Sequence, residues 1–145
     1  MSVKLYKGHT TALTEDVKIP ASNTIVKDTI LAIDTTNNGY IPATSSSTTV
    51  TIRWVAQEAL TSSGSVSKVL ATRILPGQIW LMDCTANTAS NQEGLRHALT
   101  DAGAVNNTSS TVAGNTGVVE MISVWGAAAD KKALFLVHSL GAPTA

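Results

Sequence analysis

Side chains that could carry out catalysis or bind a metal are few in this chain of 145 residues, and their spacing fits no common motif. The three histidines, His9, His97 and His138, are scattered, and none has a second histidine four residues away, as a zinc-binding helix would. Serine is abundant, but the sequence contains no Gly-x-Ser-x-Gly nucleophile elbow. We therefore expect no enzymatic activity, no metal site and no cofactor.

Asp83 and Glu93 are the carboxylate pair that could still converge, because both border the same polar segment. Glycosidases use two carboxylates about 5–9 Å apart. Arg96 follows Glu93 closely, so an ordinary salt bridge is the simpler interpretation. A small hydrolase that uses Asp83 and Glu93 is a remaining alternative.

Trp80 and Trp125 could stack against a ligand if they are exposed. Together with the polar loops 87–91 and 106–116, they would form the site of a β-domain that recognises carbohydrate or a host surface. Aromatic residues make up only 4% of the chain and its net charge is zero, so we expect no nucleic-acid partner. The binding module is the main alternative function.

The charge content of the chain indicates that part of its surface is covered by protein. Charged residues make up 14% of the sequence, against about 25% in a typical soluble domain. A net charge near zero also promotes association. Cys84 is the one cysteine, and we expect it to be a buried apolar residue. Neither a signal peptide nor a membrane-spanning apolar run is found, which predicts synthesis in the host cytoplasm and no membrane partner.

The pattern of apolar residues predicts a mainly β protein with a single β-barrel or sandwich-like domain at 25–145 and an extended N-terminal arm at 1–24. Val3 to Lys7 alternate between apolar and polar residues, as a half-buried strand does. Turn signals separate the later apolar runs, for example Asn37-Asn38-Gly39 and Pro76-Gly77. Further strands are predicted at 29–34, 48–57, 69–75, 78–84, 117–125 and 133–138.

One short helix is predicted inside the β domain. Ser90 and Glu93 have the spacing of a capping box, in which each side chain accepts the backbone N–H of the other residue. Leu95 and Leu99 would then face the core, in a helix of about two turns that ends near Asp101.

The predicted strand at 78–84 is apolar on both faces. Such a strand is either central in the protein or covered by a partner. We therefore consider four of its residues a candidate subunit interface: Ile79, Trp80, Leu81 and Met82.

The order of these elements resembles the small capsid decoration proteins, also called cement proteins, of tailed bacteriophages. An alternating arm precedes a Thr/Ser-rich barrel that carries the runs 74–83, 93–95, 117–121 and 131–137. The chain differs from the shortest decoration proteins in its greater length and in the added segment 90–101.

The resemblance implies a structural virion protein on the outer surface of a mature capsid. It would bind the major capsid protein, stabilise contacts between its subunits, and form a homotrimer. In such proteins an N-terminal arm pairs with strands of the major capsid protein. Here that role would fall on Val3, Lys4, Leu5, Tyr6 and Lys7. Another virion component, such as a tail or connector protein, is a further alternative.

Overall fold

The computed structural model describes residues 2–7, 13–61, 63–108 and 116–138, and the structural statements below concern these residues. They form a mainly β domain with two sheets, which confirms the predicted fold class. Within these ranges no helix is long and apolar enough to cross a membrane. The strands are β1 (Val3–Lys7), β2 (Thr14–Ile19), β3 (Ile30–Asp34), β4 (Gly39–Pro42), β5 (Ile52–Ala56), β6 (Ser67–Arg73), β7 (Ile79–Cys84), β8 (Arg96–Asp101), β9 (Ala104–Asn106), β10 (Val119–Trp125) and β11 (Lys132–Val137).

The first sheet contains a closed ring of five strands. Its order is β7-β11-β10-β8-β9, and a parallel pairing of β9 with β7 closes it. The β9 strand pairs with only Asp83 and Cys84 of β7. The rest of that edge, from Ile79 to Met82, pairs antiparallel with β1. β1 is therefore a sixth strand attached to the outside of a ring that is complete without it.

The second sheet is open and has the order β2-β6-β5-β3-β4. It curls until its edge strands approach each other at Gly39, where a Cβ atom would lie 2.9 Å from the carbonyl oxygen of Lys18. Glycine is therefore required there by close backbone approach. The predicted turn before Gly39 is confirmed, since residues 35–38 form a turn with Asn38 at a φ of 54°.

The buried apolar side chains form two clusters, and the larger one joins the two sheets. The larger joins side chains inside the ring, such as Trp80 and Phe135, with one face of the open sheet, which contributes Ile52. The smaller lies on the other face of the open sheet and includes Trp54 and Leu31. Both faces of the strands at the middle of the open sheet are thus buried.

The predicted helix at residues 90–101 is wrong. Residues Ser90–Gln92 form only a single 3-10 turn, and the chain then continues as strand β8. Gln92 accepts the backbone N–H of Ala89 at 3.0 Å, while the Glu93 carboxylate accepts the N–H of Val124 at 2.9 Å. Because Glu93 is bonded to another strand, the expected capping box does not form.

The segment predicted as an N-terminal arm contributes one strand to each sheet. The predicted strand Val3–Lys7 is confirmed as β1, and β2 pairs with β6 along its whole length. Val3, Val17 and Ile19 are buried. These residues are therefore integrated into both sheets.

Candidate interaction surfaces

Asp83 and Glu93 each stabilise contacts between strands. The Asp83 carboxylate accepts the backbone N–H of Ser2 at 2.6 Å and the Lys132 ammonium at 2.5 Å. Burial, the largest single effect, raises the pKa of this carboxyl, but the hydrogen bonds from Lys132 and Ser2 outweigh it and hold the pKa below its ordinary value. Since Glu93 is bonded to Val124, both carboxylates already have structural partners.

The histidines and the cysteine are also used structurally. His97 is buried, with its Nε2 atom 3.4 Å from the carbonyl oxygen of Gln92. The Nε2 atom of His138 lies 3.1 Å from Oε1 of Glu120; His9 lies outside the described residues. Burial raises the pKa of the Cys84 thiol to about 12, and its predicted burial is confirmed. No group of three His, Cys, Asp or Glu side chains among the described residues could hold a metal ion.

Trp80 and Trp125, the two tryptophans of the hypothetical glycan site, differ in their exposure to solvent. Trp80 is 1% exposed and lies in the core, so the prediction that it could stack on a ligand is wrong. Trp125 is 37% exposed, and its ring meets that of Tyr6 edge to face, with centroids 5.1 Å apart. Of the two polar loops in that hypothesis, residues 109–115 lie outside the described residues.

The four residues of the candidate subunit interface on β7 lie on opposite faces of the strand, two on each face. Trp80 and Met82 point into the core and are not available to a partner, so that part of the prediction is wrong. Ile79 and Leu81 alternate with them and face outward, half-buried. Their use as an interface stays a prediction.

An apolar surface follows from this outward orientation. Leu134 and Leu136 of β11 pair with Leu81 and Ile79, and they too alternate with buried residues. Since β7 and β11 lie between β1 and β10, the contact between Tyr6 and Trp125 passes over these strands. We call this surface the outer face. Its apolar residues are Tyr6, Ile79, Leu81, Trp125, Leu134 and Leu136.

The second surface is the free edge of β1. Asp83 donates its backbone N–H to the Ser2 carbonyl, whereas Val3 donates its N–H away from β7, to the Asp28 carbonyl at 2.7 Å. Because backbone direction alternates along a strand, the N–H and C=O of Leu5 also point away from β7. Among the described residues, no hydrogen bond is made to them on that side.

The free edge of β1 lines a groove of about 400 Å³ between this strand and the open sheet. We call it the edge groove. Its lining residues are Val3, Lys4, Leu5, Lys27, Asp28, Gln57 and Thr72. The residues predicted as a capsid-binding arm thus lie along β7 of their own chain, with their other edge facing this groove. Their contact with a capsid protein stays a prediction.

Comparison with protein-family models, with curated proteins and with solved structures finds no match to this chain. The resemblance to decoration proteins therefore stays a prediction. The edge groove is a feature that sequence reasoning missed. It is formed by backbone groups and by residues from distant parts of the chain, so no local pattern could have revealed it.

Proposed function

We propose that this protein is a structural virion protein, which binds the outer surface of a mature bacteriophage capsid and stabilises contacts between major capsid protein subunits. The observation that carries the proposal is the free edge of β1 beside the edge groove. In this proposal an extended segment of the capsid protein adds to the sheet there. The low charge content of the chain and its resemblance to decoration proteins give further support.

Strand addition suits a protein without a recognisable ligand motif. Its affinity comes mainly from backbone hydrogen bonds, which leave little trace in side-chain identity. The Val3 N–H is already bonded to the Asp28 carbonyl, so the outward N–H and C=O of Leu5 provide the first pair of these bonds. The added segment therefore begins next to Leu5 and continues along β1.

The charges at the edge groove indicate the chemistry of the added segment. Lys4 and Lys27 line it together with one carboxylate, Asp28. Lysines on an exposed strand edge disfavour pairing with unrelated strands, because the partner must compensate their charge. We expect the capsid segment to present at least one Asp or Glu side chain to Lys4 and Lys27.

The test uses two substitutions of Leu5 that differ mainly in the backbone. Leu5→Pro removes the outward N–H and leaves the pairing of Lys4 with Leu81 possible, because proline is tolerated on an edge strand when its N–H faces outward. Leu5→Ala is the matched control, since it shortens the side chain but keeps the N–H. Binding is measured by co-sedimentation with expanded shells assembled from the major capsid protein of the same phage.

We expect Leu5→Pro to abolish shell binding and Leu5→Ala to bind within a few-fold of the natural chain. Hydrogen exchange gives a second readout, in which the Leu5 amide becomes protected when the shells are added. Equal shell binding by Leu5→Pro and Leu5→Ala, with no protection of Leu5, would refute strand addition at β1. Thermal melts of both variants identify any loss of folding.

Glycan binding is the second candidate function, and the exposed pair of Tyr6 and Trp125 is the observation that favours it. Their rings are inclined at 71°, so they do not form one flat stacking platform. A glycan screen read by tryptophan fluorescence tests this function, since Trp125 is the exposed tryptophan of the three. A saturable change that Trp125→Ala removes would support glycan binding over capsid binding.

A further inference from the structure

We propose that the outer face binds the outer face of a second copy of this chain, through a two-fold axis that runs parallel to β7 and β11 and between them. This contact goes beyond the proposed function and uses a different surface from the edge groove. It is argued from the order of residues across the outer face, which is fixed by the strand register.

The outward side chains form rows across the sheet. At one end of β7, Asp83 pairs with Lys132 of β11. Towards the other end come two apolar pairs, Leu81 with Leu134 and Ile79 with Leu136. A charged row is thus followed by two rows that are apolar on β7 and β11. In the first of these, β1 contributes the exposed Lys4, which pairs with Leu81.

The row of Ile79 and Leu136 extends to charged residues on both sides. Lys7 of β1 pairs with Ile79, and Glu120 of β10 pairs with Leu136. Lys7 is exposed, and the Glu120 side chain is 34% exposed beside His138. The two apolar residues are therefore flanked by a cation on one side and by the Glu120 carboxylate on the other. Beyond Glu120 the row continues to Arg96 of β8.

A two-fold axis parallel to the strands makes these rows self-complementary. Such an axis keeps every row opposite the same row of the second copy, while it exchanges β7 with β11 and β1 with β10. Asp83 then lies opposite Lys132 of the second copy, and Lys7 lies opposite Glu120 of the second copy. The apolar residues of β7 and β11, with the Tyr6 and Trp125 rings that lie over them, then meet the same residues of the second copy. At the side of the middle row, Lys4 lies opposite Ser123 of the second copy.

The other in-plane axis, perpendicular to the strands, is excluded by the same rows. It would place the charged row of Asp83 and Lys132 opposite the apolar row of Ile79 and Leu136. The ion pair of Asp83 and Lys132 would then lose water against apolar side chains. In the middle row, Lys4 would lie opposite Lys4 of the second copy. The pattern of the outer face therefore selects one axis and predicts a dimer instead of the homotrimer that the resemblance implies.

The size of the outer face predicts a weak contact. Four strands spaced about 4.8 Å apart, with about five residues each at 3.3 Å, span roughly 19 Å by 16 Å. Stable complexes bury about 1,600 Å² in total, whereas this surface supplies roughly 300 Å² per copy and roughly 600 Å² in a dimer, which is well below that size. We expect a dimer that forms at high concentration, and whose affinity falls as salt is added.

Charge reversal tests the axis. Each of Lys7→Glu and Glu120→Lys places two like-charge contacts in one dimer, and we expect each to weaken dimerisation at least tenfold at low salt. The double variant carrying both reversals restores the opposite charges and should dimerise like the natural chain. Lys68→Glu, at an exposed position on β6, is the matched control and should have no effect. Self-association is measured by sedimentation velocity over a concentration series.

Three results would overturn the proposal: a monomer at every concentration, a trimer, or a dimer that the single reversals leave unchanged. Failure of the double variant to recover, while its melting temperature is normal, would also overturn it. Glu120 lies on β10, away from the edge groove, so loss of shell binding by Leu5→Pro and loss of dimerisation by Glu120→Lys are separate outcomes. Either proposal can therefore fail without the other.

Discussion

Truncating the buried side chain of Val3 should destabilise β1 while leaving the ring of five strands intact. Val3 is 1% exposed and packs in the larger apolar cluster. Val3→Ala removes two buried methyl groups, at about 0.8 kcal/mol each, and leaves a small cavity, so we expect a loss of about 2 kcal/mol. Because the ring closes without β1, this loss should appear as local opening of β1.

Hydrogen exchange can measure this opening at adjacent residues of β7. The Leu81 amide faces β1, whereas the Met82 amide faces β11, because the two directions alternate. A loss of about 2 kcal/mol corresponds to a roughly 30-fold faster exchange of the Lys4 and Leu81 amides. The Met82 amide should keep its natural rate. Equal acceleration at Leu81 and Met82 would refute the independence of β1 from the ring.

Val105→Ala is the matched control for this experiment. Val105 is also 1% exposed and belongs to the same apolar cluster, but it lies on β9, which is part of the ring. Its truncation should accelerate exchange at Met82 as well as at Leu81. The two variants therefore separate a strand outside the ring from a strand within it.

Three further outcomes follow from the described contacts. Asp83→Asn should lower the melting temperature at pH 7 but not below the native pKa of Asp83, because a lowered pKa contributes stability that is lost as pH falls through it. Cys84 should react with a thiol reagent at pH 8 only as fast as the protein unfolds, because its side chain is fully buried and burial raises its pKa to about 12. Asn107→Ala should cost about 3 kcal/mol in urea unfolding, because this buried side chain bonds to the backbone of Ala86 and Asn87 and to Gln92.

The alternation of apolar residues predicted where most strands lie, but it did not predict which face of the sheet each side chain occupies. The runs at 29–34 and 78–84 contain β3 and β7 within one residue of their observed bounds. In β5, strict alternation would place Ile52 and Trp54 on one face, yet they belong to different apolar clusters. The register between β3 and β5 shifts between Leu31 and Ala32. Arg53 of β5 is left there as an extra residue, and this bulge interrupts the alternation. A bulge arises from the pairing of two strands, so the pattern of one strand does not reveal it.

The missed strands were short or polar on their outer side. In β2 only Val17 and Ile19 are buried, and in β8 only His97 and Leu99. The capping-box spacing of Ser90 and Glu93 favoured a helix over β8, because a local hydrogen-bond pattern is visible in sequence and a bond to a distant strand is not. In the structure Glu93 accepts the backbone N–H of Val124 and so does not cap a helix.

The two proposed surfaces have a common origin in the way the ring closes. The β9 strand occupies only the end of the β7 edge, so the remaining length is available to β1. This position gives β1 one free edge, beside the edge groove, and places Tyr6 and Lys7 on the outer face. Sequence reasoning found an apolar run in β7 and an alternating run in β1 separately. Since their relation depends on a parallel pairing between distant strands, the residues that carry each surface could be assigned only from the fold.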